Sequence, residues 1–447
     1  MLIICLLLTL IPIFSLFLFS YLQTSNKTQK FLPIVKDISN LEWERTWGGI
    51  SQEYGKGIAV DNSGNVYITG YIWNSYEGWG EVLLLKYDSS GNQLWNNTWG
   101  ASGENKANGI ALDDSGNVYI TGYIRNSYEG LGEVLLLKFD LTGNLLWNTT
   151  WGSSSLEHGN GIAVESSGNS FITGYTESYG AGGSDVFLLK YDSSGNLLWN
   201  NTWGGSDDDY GYGIALDGSG NISITGHTES YGAGGSDVFL LKYDSSGNLL
   251  WNTTWGDFAS DLGTGIALDD SGNAFITGYT ESYGTAYNDV ILLKYDLSGN
   301  LLWNTTWGSS GLDYGKSIAL TSSGNVFITG FTESYGKGHN DGLLYKYDSS
   351  RNLLWDITWG RSNSFEDGTG IALDTSGNAF IIGYSENLRE GVGSDIMILK
   401  YSNVQSNNII LIILIVIISF ILSGSVISVI ALIITVRKTR KKIKINY

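Results

Sequence analysis

Cysteine is almost missing from this chain: its 447 residues hold one, Cys5, inside an apolar N-terminal stretch. No disulfide can form within a folded region, and no thiol nucleophile is on offer there. Histidine is nearly as scarce. His158, His227 and His339 are the only three, and they fall at different points of the sequence pattern, so no histidine cluster is expected. Proline occurs twice, against 60 glycines and 13% aromatics. That balance fits short strands and tight turns rather than disorder, which would lack aromatic and β-branched residues. Basic charge is sparse where it would matter for nucleic acid. From Leu41 to Ser402 there are 16 Lys and Arg against 43 Asp and Glu, a net charge of −27. Phosphate binding needs the opposite sign, so nucleic acid is excluded as a partner.

What is present is a repeat. Trp-x-x-x-Trp-Gly recurs every 52 residues, from Trp43/Trp47 through Trp199/Trp203 to Trp355/Trp359. Such a period marks supersecondary units too small to bury their own apolar faces. Each unit reads as four strands, for example 161–165, 170–175, 186–192 and 197–203. Asp/Ser/Gly/Asn clusters between these runs are hairpin turns, with glycine supplying the positive φ. The third strand is an unbroken apolar run, expected to be buried on both faces. Alternation along the fourth places its two Trp on one face, where buried rings are expected. The first strand carries a small residue at its centre in every unit, from Ala59 to Ala372.

The ends complement one another. The seventh unit stops near Ser402 without its fourth strand, and residues 41–47 are a fourth strand without the other three. A ring closes this way, leaving no free sheet edge. The expected fold is all-β, a seven-bladed β-propeller of four-stranded blades, closed by an N-terminal strand and followed by a C-terminal transmembrane helix. The run GIALDDSGN at 109–117, leading into VYITGY, and DVFLLKYDSSGNLLW at 185–199 resemble the SBBP-type β-propeller repeat of prokaryotic secreted and cell-surface proteins. Departures are Glu165 and Thr321 in place of Asp, and Arg351 in place of the turn glycine. The resemblance implies the propeller and an extracellular setting, and it carries no catalytic residues over.

The domain plan has five parts. Residues 1–22 are apolar and read as a signal peptide or a retained signal anchor. Residues 23–40 are a linker, and 41–402 the propeller. Residues 409–436 are long enough to span a bilayer, and the basic tail 437–447 is predicted to be cytoplasmic, which places the propeller outside the cell. The expected location is the cell membrane, single-pass, or two-pass if the first segment is retained. Its tethers leave from the face carrying the tight turns, so the loop-rich face looks outward.

On that outward face, Tyr179, Tyr210, Tyr231, Tyr283, Tyr314 and Tyr335 are the candidate ligand-binding residues. A carboxylate precedes the third strand in every unit, from Glu81 to Asp395. It is either a ring of acids around the opening or, more simply, a repeated loop cap. No metal site is assigned. No cofactor is predicted either, although the acidic loops leave Ca2+ as an option. The lysine ending each third strand, Lys86 to Lys400, is expected to pair with a neighbouring acid. Asn26, Asn96, Asn148, Asn200, Asn221, Asn252 and Asn304 stand in glycosylation sequons. The predicted function is a non-enzymatic binding module for an extracellular protein, glycan or surface polymer. The alternatives are a self-associating envelope component and, behind it, a glycan-acting hydrolase or quinoprotein-like enzyme.

Overall fold

The computed structural model describes residues 40–74, 79–100, 103–125, 131–285, 287–387 and 393–403. The chain divides into two units, Met1–Ile38 and Ser39–Tyr447. The segments 1–22 and 409–436, the basic tail and Asn26 lie outside the described residues. Among the described residues no helix is long and apolar enough to cross a membrane.

The described chain is all strand and turn. Five four-stranded antiparallel sheets accompany one eight-stranded sheet. The latter is two four-stranded sets joined by a single parallel bridge, Gly80 to Glu104. A representative set runs Glu157–Val164, Ser170–Thr176, Asp185–Tyr191 and Leu197–Trp203. Its first–second and third–fourth turns are five-residue closures. Asp192 N donates to Asn196 O at 2.9 Å and Gly195 N to Asp192 O at 3.1 Å, with Gly195 at φ +85°. The Asp192 carboxylate fixes the turn by accepting from Ser194 N and Asn196 N, both at 2.9 Å. These bonds to its charged form hold its pKa down, the Asn196 side chain most of all.

The third strand is the buried one: Val186 to Leu189 are all within 1% of full burial. Val186 and Leu188 pack with Ile222, Ile224 and Phe239 of the next set, so each core lies between two sheets. Thr173 Oγ1 donates to Phe187 O at 2.9 Å, which satisfies a hydroxyl that this burial would otherwise strand. The following residue, Gly174, has no room for a side chain, because a Cβ there would lie 1.8 Å from His158 O.

The tryptophans correct one expectation. They are half-buried, not buried, and the first of each pair rests on the turn of the next set. Trp147 Nε1 donates to Ser193 O at 3.3 Å, its ring meets Tyr119 edge-on at 6.1 Å, and Gly195 lies against its face. The cause is position: the fourth strand is the outer edge, with neighbours on one side only.

Closure follows the sequence expectation. Residues 41–47 pair antiparallel with Ser394–Tyr401, Arg45 opposite Ile398 and Trp47 opposite Ile396. Each first strand touches that of the next set, and the last, Ser364–Leu373, touches the first, Gln52–Val60. Asn160 Nδ2 donates to Gly211 O at 2.8 Å between adjacent sets, and Thr369 Oγ1 donates to Gly55 O at 2.7 Å between last and first. The arrangement is that of a β-propeller, with the first strands innermost.

Candidate functional site

Two residues of every first strand stand outside the sheet cores, at the inner edge of the ring. The register slips in the middle of this strand, for example between Gly159 and Gly161, and the bulged residue stands free of the ladder. Such bulges re-aim side chains. The residue before the bulge glycine lies opposite an aromatic of the second strand in most sets. Tyr54 faces Tyr71, His158 faces Tyr175 and Tyr210 faces His227.

Each of these side chains wedges between that partner and the corresponding ring of the preceding set. Tyr54 lies 5.1 Å from Tyr71 and 5.2 Å from Tyr384. His158 lies 3.9 Å from Tyr123 and 4.9 Å from Tyr175. Tyr210 lies 4.7 Å from Tyr175 and 4.9 Å from His227. Tyr314 lies 4.2 Å from Tyr279 and 4.8 Å from Phe331. Lys106 takes the same place between Tyr71 and Tyr123, its Nζ 5.0 and 5.6 Å from their centroids. The result is a collar of interleaved rings on the innermost strands, at the end where they begin and the longer loops join.

The collar also gathers charge. Lys56 Nζ lies 5.8 to 6.0 Å from the centroids of Tyr54, Tyr71 and Tyr384. Burial lowers its pKa to about 8, and the charges of Lys316 and Lys106 push the same way. Lys106 pairs with Glu104 at 2.5 Å, Arg125 reaches the same carboxylate at 3.6 Å, and Lys316 pairs with Asp367. Tyr123 Oη donates to Glu104 Oε1 at 2.6 Å. Burial lowers His158 and His227 to about 4, so both imidazoles are neutral at physiological pH.

The six candidate tyrosines divide between two places. Tyr210 and Tyr314 belong to first strands and sit in the collar. Tyr179, Tyr231, Tyr283 and Tyr335 are half-exposed on the second–third loops, each laid on a tryptophan of the preceding set at 4.9, 5.1, 4.9 and 4.6 Å. Tyr231 Oη donates to Gly204 O at 2.9 Å. One face of each of these rings is thus used for packing. The rest of the collar lies in segments that sequence reasoning assigned to loops. The signal was there in Tyr, Lys and His alternating with Gly ahead of the Ile-Ala pair.

The third-strand carboxylates act as loop caps. Asp185 accepts from Ala181 N at 2.9 Å and Asp237 from Ala233 N at 2.8 Å. They do not ring the opening, because the third strand lies one sheet-width out from it. Asp185 and Asp209 of the next set instead converge on Gly204. Burial raises the pKa of Asp185, and the neighbouring Asp209 charge adds to it. Among the described residues no group of three or more His, Cys, Asp or Glu could hold a metal ion.

Third-strand lysines pair as expected in four sets, Lys242 to Asp217 at 2.9 Å being the tightest-buried of these. Lys86 and Lys138 instead donate to backbone carbonyls, Leu141 O and Ser193 O, and Lys346 donates to Asn403 Oδ1. The sequon residues Asn96, Asn148, Asn200, Asn252 and Asn304 are exposed on the outer strands. Asn221 is half-buried and donates to Asp217 Oδ2 at 3.0 Å.

Comparison with known proteins agrees with the repeat. The model of the SBBP β-propeller repeat matches residues 48–77, 100–129 and 256–284. The chain carries SBBP β-propeller repeats. A WD repeat-containing protein of Acanthamoeba polyphaga mimivirus is 21% identical over 404 residues, 61% of this chain and 29% of the relative. The regulatory protein FlaEY of Caulobacter vibrioides is 27% identical over 175 residues, 36% of this chain and 17% of the relative. The chain thus spans less than a third of the length of these curated relatives. Among solved structures, the polysaccharide lyase Uly1 superposes with a TM-score of 0.54 at 11% identity, covering 81% of this chain and 99% of that one. Peptide-bound YCF48 gives a TM-score of 0.49 at 11% identity, covering 85% and 100%. At these identities the likeness is one of fold. Because one such propeller is a lyase, the fold gives no ground for a flat denial of catalysis.

Proposed function

We propose that the SBBP propeller is a binding module of seven blades, held at a membrane and displayed outside the cell with its loop-rich face outward. The observation that carries this reading is the collar, where side chains from many first and second strands converge at one mouth of the ring. Polar groups converging among aromatic rings are the usual make-up of a ligand site. The orientation rests on the chain ends. Ser402 N donates to Asn40 O at 2.8 Å, so both tethers leave side by side from the tight-turn face. The apolar run 409–436 and the basic tail after it supply the membrane side of the argument. The full chain in detergent micelles, screened on glycan and surface-polymer arrays with and without Ca2+, tests the reading. Saturable binding by the monomer is expected. Absence of binding to any glycan, polymer or protein ligand would overturn it.

A second reading is favoured by one observation. The fourth strands expose leucines around the outer circumference, Leu146, Leu198 and Leu302 each at 51%. Exposed apolar groups repeated in this way suit lateral contact between copies, as in an envelope scaffold. Sedimentation of the detergent-solubilised chain separates the two: concentration-dependent assembly that is lost on Leu146→Lys and Leu198→Lys favours the scaffold.

An enzyme is the third. His158, Tyr123, Glu104 and Arg125 form the group in which proton transfer would be sought, and turnover abolished by His158→Asn without loss of fold would establish it.

A further inference from the structure

The collar breaks the symmetry of the repeat. Around it the units are near copies: each first strand ends in Ile-Ala followed by Leu or Val, and each second strand carries Ile-Thr-Gly or Ile-Ile-Gly. The wedge position reads instead Tyr54, Lys106, His158, Tyr210, Leu262, Tyr314 and Asp367, and the bulge position runs from Lys56 through Tyr212 to Thr369. Asn108, Asn160, Thr264 and Thr369 at the bulge position bond the backbone of the next set, but Lys56, Tyr212, Lys316 and the wedge position occupy equivalent places, where packing alone sets no reason for them to differ. A ring with unlike side chains at one level is what an asymmetric ligand lying across that level requires.

Its charge is the second observation. Of nine basic side chains between Leu41 and Ser402 other than the third-strand lysines, four stand here: Lys56, Lys106, Arg125 and Lys316. Two carboxylates, Glu104 and Asp367, face them. The collar thus concentrates cations within a folded region of net charge −27, with Glu177, Asp208, Glu281, Glu333 and Glu386 acting on its rings from the adjoining loops. Lys56 forms no ion pair among the described residues and lies among tyrosine rings. The Asp367 carboxylate acts on it from a distance, and a buried ammonium with no anion in direct contact is costly unless something supplies one. Two further collar atoms, His227 Nδ1 and Asp367 Oδ1, are buried without a hydrogen-bond partner among the described residues. Buried polar groups left so are rare and call for a ligand or a reason.

We propose that the collar binds an anionic saccharide, a sugar unit bearing a carboxylate or a sulfate ester, with Lys56 holding the anion and the neighbouring tyrosines holding the ring. This names the ligand class of the binding reading above and rests on it. Aromatic side chains offer an apolar face and a polar tip, which a pyranose can use together. The surroundings limit ligand size. Exposed acids on the connecting loops, such as Asp207 and Glu229, repel a long polyanion lying across the face, so the site takes a single anionic unit or a chain end.

The test uses the full chain in detergent micelles and isothermal titration with three probes: a uronic-acid trisaccharide, its carboxyl-reduced neutral counterpart and inorganic sulfate. The trisaccharide is expected to bind, and the neutral counterpart to bind about 10- to 100-fold more weakly, the range of one charged hydrogen bond. Lys56→Met should weaken the trisaccharide by a similar factor while raising the thermal midpoint, because it removes a buried cation with no direct ion pair. Lys86→Met, on the tight-turn side, should leave affinity unchanged. Equal affinity for the acid and its neutral counterpart, or inorganic sulfate binding as tightly as the trisaccharide, would overturn the proposal. So would a lower thermal midpoint in Lys56→Met, which would make the lysine a packing element of its tyrosine cage. Array binding of other ligands that survives Lys56→Met would remove the collar as the site while leaving the binding module standing.

Discussion

Arg351 sits where the repeat otherwise has glycine, and the cost of that replacement can be worked out. In the five equivalent turns Gly91, Gly143, Gly195, Gly247 and Gly299 have φ between +80° and +89°, and Arg351 has φ +72°, the only positive φ of a non-glycine among the described residues. A residue with a Cβ in this conformation costs about 1–2 kcal/mol. Glycine returns about 0.5–1 kcal/mol of that through the extra freedom of its unfolded chain. The Arg351 guanidinium offsets little, since its bond to Asn304 O is long, at 3.4 Å, and exposed. Arg351→Gly should therefore stabilise the fold by about 0.5–1 kcal/mol. The reverse change is harsher. A Cβ at Gly195 would press within 3.0 Å of the Trp147 ring, so Gly195→Ala should cost about 1–2 kcal/mol. Urea denaturation followed by tryptophan fluorescence, with both variants against the parent, reads the two shifts. A destabilised Arg351→Gly would refute the reasoning and show that the guanidinium holds its turn.

Other outcomes follow from the same geometry. Trp147→Ala should cost about 2–3 kcal/mol in the same assay, below the usual 3–5 for a buried Trp because the ring is half-exposed; a loss near 5 would mean that the outer strand is covered. Gly174→Ala should cost about 3 kcal/mol or more, since its Cβ would meet His158 O at 1.8 Å; near-normal thermal stability would contradict the first–second strand register. His158 titrates near 4 in the fold against 6.5 when free, so the unfolded chain binds more protons between those values and the histidine's contribution shrinks as pH falls through the window. His158→Asn should accordingly lose less stability than the parent between pH 6.5 and 4, and parallel pH profiles would refute the buried, neutral imidazole.

How far the sequence could be read depended on where each residue stood. The fourth strand was legible to the residue, Leu197–Trp203 in both readings, because its turn glycine and paired Trp bracket it. The second and third differed only at their ends. The first did not read through: 161–165 was expected, and the strand begins at Glu157. The bulge between Gly159 and Gly161 interrupts the two-residue period, so a strand with glycines at its close approaches looks like a polar loop. The collar was hidden by that same bulge. Tyr210 and Tyr314 were singled out, but as loop residues, and Lys56, Lys106 and His158 were not linked to them. Their neighbours come from adjacent units some 35 residues away in sequence, and only the packing of one unit on the next brings them together. Tyr179 and its three counterparts were read as ligand-binding loop residues, because nothing in the spacing shows that each lies on a tryptophan of the preceding unit.

The claim that the loop-rich face is the binding face can be tested directly by blocking one face at a time. With Cys5 changed to Ser, Asp207→Cys places the only thiol on a loop of the collar side, and Ser194→Cys places it in a tight turn on the opposite side. Each is coupled to a bulky maleimide, and the full chain is returned to the array. Binding lost with the label at 207 and retained with the label at 194 is the predicted result. Binding that survives at 207 and disappears at 194 would put the site on the tight-turn face and contradict the account.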